Sequence, residues 1–211
     1  MKENLINMLR AAEVQFRLAS AVRLAVTLKN QPLDLPRTWI HGWHKVNYEE
    51  LALTEKGATL GAQLLQYSST YIMAVQIKEA LKCYTDNKAM EDRDPNVRNA
   101  FVIAVLIRNA FAHNPLQPQW KIDRKYKNTK FSLDGIIELD TSGLDGKRLD
   151  WRHYGGPLAM LRFSEFVRTK ILGDDGEFGS NRTNVIKPKN EYFQQSNLVL
   201  VRLISKTPQS H

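Results

Sequence analysis

A mainly α fold with a small β excursion is what this sequence predicts, and three observations carry the prediction. Apolar residues recur at three- and four-residue spacing over several long stretches. The run from Ala100 to Ala112 is apolar at eleven of its thirteen positions. Between residues 119 and 150 the pattern shifts to short segments separated by Gly-containing turns, which suit strands better than helices. A chain of 211 residues with 43% hydrophobic content can bury one substantial core. The expected division is a helical domain over 1–172, including the excursion at 119–150, followed by a partly irregular C-terminal extension over 173–211.

The first helix is expected over residues 3–29, where Leu5, Leu9, Ala12, Phe16, Ala19, Val22 and Val26 line one face and Asn30, Pro32 and Pro36 stop it. Arg10, Arg17 and Arg23 recur along this helix and read as a solvated face or a basic stripe. Residues 36–48 read as a connecting loop. His41 and His44 stand there without an Asp, Glu or Cys set that would complete a metal site. Asn47 followed by Glu50 fits a capping box opening a short helix. A second long helix is expected from about Thr59 to Tyr84, stopped by Asp86 and Asn87. Asp94 and Pro95 supply a cap and a first-turn proline for a third, which ends near His113 because Pro115 and Pro118 forbid continuation. In the excursion, WKID and KFSLDGIIELD read as strands. A last amphipathic helix follows Gly155, Gly156 and Pro157, and an apolar stretch, Leu198–Ile204, returns in the extension.

Composition narrows the functional classes. The single cysteine, Cys83, can form neither an internal disulfide nor a CxxC pair, which fits a reducing, cytoplasmic setting. Charged residues interrupt the N-terminal stretch, so no signal peptide is read there, and no segment reaches the roughly 18 apolar residues needed to span a bilayer. A soluble protein without a membrane partner is expected. The net charge of +8 favours polyanionic partners.

Arg108 and Asn109 are the only polar residues in the Ala100–Ala112 run. A helix apolar around its circumference is buried, and an unpaired guanidinium there is costly, so Arg108 must be paired internally or open onto a cleft that admits an anion. Asn109 and His113 lie four residues apart and share a face, while Arg108 starts about 140° away and is long enough to swing toward them. An imidazole can move protons at neutral pH, and a guanidinium can hold a scissile phosphate through its planar fork. With an RNA 2′-hydroxyl as nucleophile, this trio needs neither a metal nor another cofactor. His113 would handle the proton, Arg108 the developing charge and Asn109 the orientation of either partner.

The string IRNAFAHNP, with Arg108, Asn109 directly after it and His113 after four intervening residues, resembles the signature of HEPN domains. The resemblance covers roughly residues 1–115 and the last helix. It implies a helical bundle whose motif closes a long helix. It also implies a metal-independent endoribonuclease of a toxin–antitoxin or phage-defence system, producing 2′,3′-cyclic phosphate and 5′-hydroxyl ends. Members dimerise so that two motifs face one composite cleft, and an antitoxin or other inhibitor protein is an implied partner. Members silenced by nucleotide addition carry a tyrosine two residues after the histidine; Pro115 stands there in this chain, so that regulation is not implied.

Downstream, Lys121, Arg124, Lys125, Lys127 and Lys130 surround Tyr126, an arrangement that can hold phosphates and stack a base, or simply form a solvated hairpin. Trp151, Arg152, His153 and Tyr154 form a polar aromatic cluster to which spacing assigns no role. Three alternatives to the nuclease stay open. The trio can tie off a helix end, where cations are favoured. The same cleft can serve a non-catalytic RNA- or nucleotide-binding scaffold. A DNA-binding regulator is motivated by charge alone.

Overall fold

Helix α1, Lys2–Arg23, buries Leu5, Ile6, Leu9, Ala12, Phe16 and Ala19, the stripe its spacing predicts. Its last turn widens into a π-type turn, Leu24–Leu28. The computed structural model describes residues 2–28, 38–47, 53–112, 114–133 and 135–175, all within one compact unit, Met1–Asp175. His113 and the Leu198–Ile204 stretch lie outside the described residues.

Residues expected to form a loop instead form a hairpin. Strand β1, Thr38–His41, pairs antiparallel with β2, His44–Asn47. Trp39 opposite Val46 and Ile40 opposite Lys45 supply the aromatic and β-branched content that strands favour. Gly42 takes the positive φ of 61° that a two-residue hairpin loop asks of its first position. His41 and His44 are cross-strand partners flanking that loop, which accounts for their spacing. Asn47 ends β2, and residues 48–52, which follow it and include Glu50 of the expected capping box, lie outside the described residues.

Helix α2, Glu55–Tyr84, starts earlier than its apolar pattern suggests because Thr54 caps it, accepting from the Gly57 backbone N–H at 3.1 Å. It stops where Asp86 and Asn87 turn left-handed, at φ 50° and 65°. Helix α3, Pro95–Ala112, opens as expected, with the Asp94 carboxylate accepting from the Asn96 N–H at 2.8 Å. It is buried at Val97, Ala100, Ile103, Ile107 and Phe111 and on intervening faces, as an all-round apolar helix must be.

The β excursion is smaller than its sequence suggests. Strands β3, Lys130–Leu133, and β4, Ile137–Asp140, form an antiparallel hairpin whose inward residues join the core. WKID is not a strand: the Trp120 N–H donates to the Lys147 carbonyl and its carbonyl accepts from Gly146, a local clasp reinforced by one bridge between Gln119 and Arg148. Tyr126 closes a short 3-10 turn, Arg124–Tyr126. The Thr141 hydroxyl sits 2.6 Å from the Tyr126 carbonyl and 2.9 Å from the Thr129 carbonyl, and it accepts from the Thr129 N–H. The cluster at 151–154 is a second 3-10 turn, capped by Asp150.

Helix α4, Gly156–Phe166, follows the left-handed Gly155 and runs into a π-type turn, Val167–Ile171, closed by the Leu172 N–H donating to the Val167 carbonyl at 2.9 Å. Side chains from all four helices and from β3 and β4 share one core, containing Leu9, Met73, Ile103, Trp120, Leu139 and Phe163. The arginines of α1 form no free stripe. Arg10 pairs with Asp174, Arg17 with Glu165, and Arg23 stacks on Trp151. Buried Glu13 accepts from Ser164 at 3.0 Å and from Arg168 at 3.1 Å, and Arg168 also grips Asp174. This network clamps α1 to the end of α4. No described helix is long and apolar enough to cross a membrane.

Candidate functional site

The last two turns of α3 place Arg108 and Asn109 at half-buried positions on an otherwise apolar helix. The Arg108 Nη1 donates to the Asn109 Oδ1 at 3.0 Å. No carboxylate among the described residues forms an ion pair with Arg108. Glu79 on α2, engaged by Lys78 at 2.7 Å, feels Arg108 electrostatically. The Lys78 hydrogen bond is the main influence holding the Glu79 carboxyl below its ordinary range, with Lys82 and Arg108 adding smaller pulls. An anion approaching Arg108 meets a guanidinium oriented by an amide rather than neutralised by an acid.

Beyond Ala112, Asn114 builds a side-chain turn, its Oδ1 accepting from the N–H groups of Leu116 and Gln117, both at 3.1 Å. The Gln119 N–H then returns to the Ala110 carbonyl at 3.0 Å, satisfying one of the helix's terminal acceptors. Pro115 and Pro118 thus end the helix by redirecting the chain across its own last turn. On another side of that turn Phe111 meets Tyr67 and Tyr71 of α2, with ring centroids 5.9 and 6.0 Å apart.

The basic segment downstream divides. Tyr126 is buried, packs edge-on to Phe131 and points its hydroxyl at the Met90 sulfur, so its ring serves the core and offers no face to a base. Lys125 covers that ring at 4.7 Å. Lys127 is taken up by Asp145 at 2.6 Å and Lys130 by Glu138 at 2.8 Å. Arg124 and Lys121 are exposed. Within the cluster at 151–154 His153 is structural: its Nδ1 accepts from the Trp120 indole at 2.8 Å and from the Asp150 N–H at 3.2 Å. Burial lowers the His153 pKa, against the pull of Asp150. A neutral ring with an unprotonated Nδ1 is what both donors require.

Sequence reasoning passed over Lys78 and Lys82. Their i, i+4 spacing on α2 was visible, but only the packing of α2 against α3 makes Glu79 feel Lys78, Lys82 and Arg108 together. A cavity of about 350 Å³ lies elsewhere, between the β3–β4 turn and the start of α4, lined by Ile136, Tyr154, Leu158 and Arg162. Compared with protein-family models, curated proteins and solved structures, the chain matches none.

Proposed function

We propose that the chain is a metal-independent endoribonuclease of HEPN type, working as a homodimer with a composite cleft. The observation that carries this reading is Arg108, a guanidinium on a buried, apolar helix, hydrogen-bonded to the Asn109 amide and ion-paired with no carboxylate among the described residues. That Glu79, the carboxylate that feels Arg108, is already held by Lys78 supports it further. In the proposed reaction His113 takes the proton of the RNA 2′-hydroxyl or gives one to the leaving 5′-oxygen. Arg108 holds the phosphoryl oxygens as the attacking 2′-oxygen bonds to phosphorus and the P–O5′ bond breaks. A role as a toxin or phage-defence effector, checked by an inhibitor protein, rests on the resemblance of the motif alone.

The test is end-group analysis of a tRNA mixture incubated with the purified chain in chelator, alongside His113→Ala. Wild type is expected to leave 2′,3′-cyclic phosphate and 5′-hydroxyl ends, and the variant to cleave about 10²–10⁴-fold more slowly. Equal degradation by both proteins, or none by either, overturns the reading. Tight, salt-dependent RNA binding without cleavage would instead establish the non-catalytic binding module.

A further inference from the structure

We infer that Arg23, Trp151 and Tyr154 form a phosphate-binding site around the Tyr67 ring, beside the last turn of α3. The inference stands on side chains that the proposed nuclease chemistry does not use, so it can fail or hold independently of that chemistry.

Three buried polar atoms here have no hydrogen-bond partner among the described residues: Arg23 Nη1, Trp151 Nε1 and Tyr154 Oη. All three can donate, and two can only donate. What this region lacks is therefore acceptors. Tyr154 is 1% exposed, so bulk solvent does not satisfy it.

The groups belong to one neighbourhood. The Arg23 guanidinium lies 4.1 Å from the centre of the Trp151 ring, and the Trp151 and Tyr67 ring centroids are 5.7 Å apart. Tyr67 in turn meets Phe111 of α3, with ring centroids 5.9 Å apart. The Tyr67 hydroxyl accepts from Gln63 at 3.0 Å, which leaves its own proton to give. Both Arg23 and Tyr154 feel the Tyr67 hydroxyl electrostatically, and Tyr154 also feels the Asp150 carboxylate, which Arg152 engages at 2.6 Å. Burial pushes the Arg23 pKa down and the Tyr154 pKa up, so the donors sit where water is scarce. No carboxylate among the described residues pairs with Arg23.

A water molecule is a poor complement, because it offers two acceptor sites and brings two protons that would themselves need acceptors. A phosphoryl group brings several oxygens, no obligatory donor and the negative charge that Arg23 lacks. Arg23 and Trp151 are only partly buried, so a rotation of the guanidinium off the indole opens the route inward. The phosphate can belong to a free nucleotide or to an RNA backbone.

The test titrates the full chain with inorganic phosphate, AMP and a short single-stranded RNA against a chloride background of equal ionic strength, read by tryptophan fluorescence and thermal melting. Saturable phosphate binding that raises the melting temperature is expected. Arg23→Gln should weaken it about tenfold or more, and Trp151→Phe, which keeps a ring and removes the donor, about threefold to tenfold. Arg108→Ala should retain it. Competition between phosphate and RNA would assign the site to backbone phosphates, whereas AMP binding that RNA does not displace would assign it to nucleotides. Absence of a saturable phosphate effect, or identical phosphate affinity in wild type, Arg23→Gln and Trp151→Phe, overturns the proposal. Arg23→Lys, retaining charge, guards against a folding artefact and should bind better than Arg23→Gln.

Discussion

Replacing Arg108 and Arg168 separately by alanine separates a functional arginine from a structural one within a single fold. The Arg108 guanidinium is half-buried and makes one hydrogen bond among the described residues, to a neutral amide. Its loss removes about 1 kcal/mol for that bond, and alanine returns a few tenths through better helix propensity, so the net cost is about 1 kcal/mol. Arg168 is 13% exposed and joins Glu13 and Asp174, each 7% exposed at the side chain. Removing it strands two buried carboxylates, for which about 3–5 kcal/mol is typical. Because Arg10 stays on Asp174, the lower end, about 3 kcal/mol, is expected. At roughly 2–4 °C per kcal/mol for a chain of this size, Arg108→Ala should melt about 2–4 °C below wild type and Arg168→Ala about 6–12 °C below. RNA cleavage should show the opposite order, with Arg108→Ala losing about 10²–10³-fold. Calorimetry and initial rates on the same preparations measure both. If Arg108→Ala destabilises as much as Arg168→Ala, or cleaves at the wild-type rate, Arg108 is a structural tie and the reasoning fails.

His153 makes stability pH-dependent. Its folded pKa lies below the ordinary 6.5, so as pH falls through about 6.5 the unfolded chain takes up a proton that the folded ring refuses, and stability declines toward the folded pKa. Urea unfolding from pH 8 to 5 should show this loss in wild type, reduced in His153→Asn, and parallel profiles would contradict it. Thr141→Val should cost about 2–3 kcal/mol in urea denaturation, since it leaves the Thr129 N–H and the Tyr126 carbonyl short of a partner inside the fold. Tyr126→Phe, losing only a 3.9 Å hydroxyl–sulfur contact, should leave RNA affinity and stability within about 0.5 kcal/mol of wild type. A tenfold loss of RNA affinity would show that this hydroxyl contacts RNA after all.

The helices were legible because each is held by a local rule: apolar spacing for α1 and α2, the Asp94–Pro95 opening and the Pro115 stop for α3. The first hairpin was not, because proline and tryptophan around residues 36–43 resemble loop composition, and Gly42 is recognised as a hairpin loop residue only once Trp39 is seen opposite Val46. For the site, the oddity of Arg108 and Asn109 was readable, since two polar residues break an apolar run. Their partners were not. Lys78 and Lys82 become relevant only through helix–helix packing, and Tyr126 looked like a nucleic-acid contact because its neighbours are basic, although its own ring completes the core beside Phe131. Periodicity reports which face is buried and is silent about what meets it.

The clamp between α1 and the end of α4 sets an order of events in synthesis. Glu13 and Arg10 are translated early, yet their partners at Ser164, Arg168 and Asp174 emerge roughly 150 residues later, and the Lys2 ammonium ends up beside Gly173. A nascent chain halted before residue 164 holds a carboxylate and a guanidinium with nowhere to go, so the domain can lock only after that last stretch has cleared the ribosome.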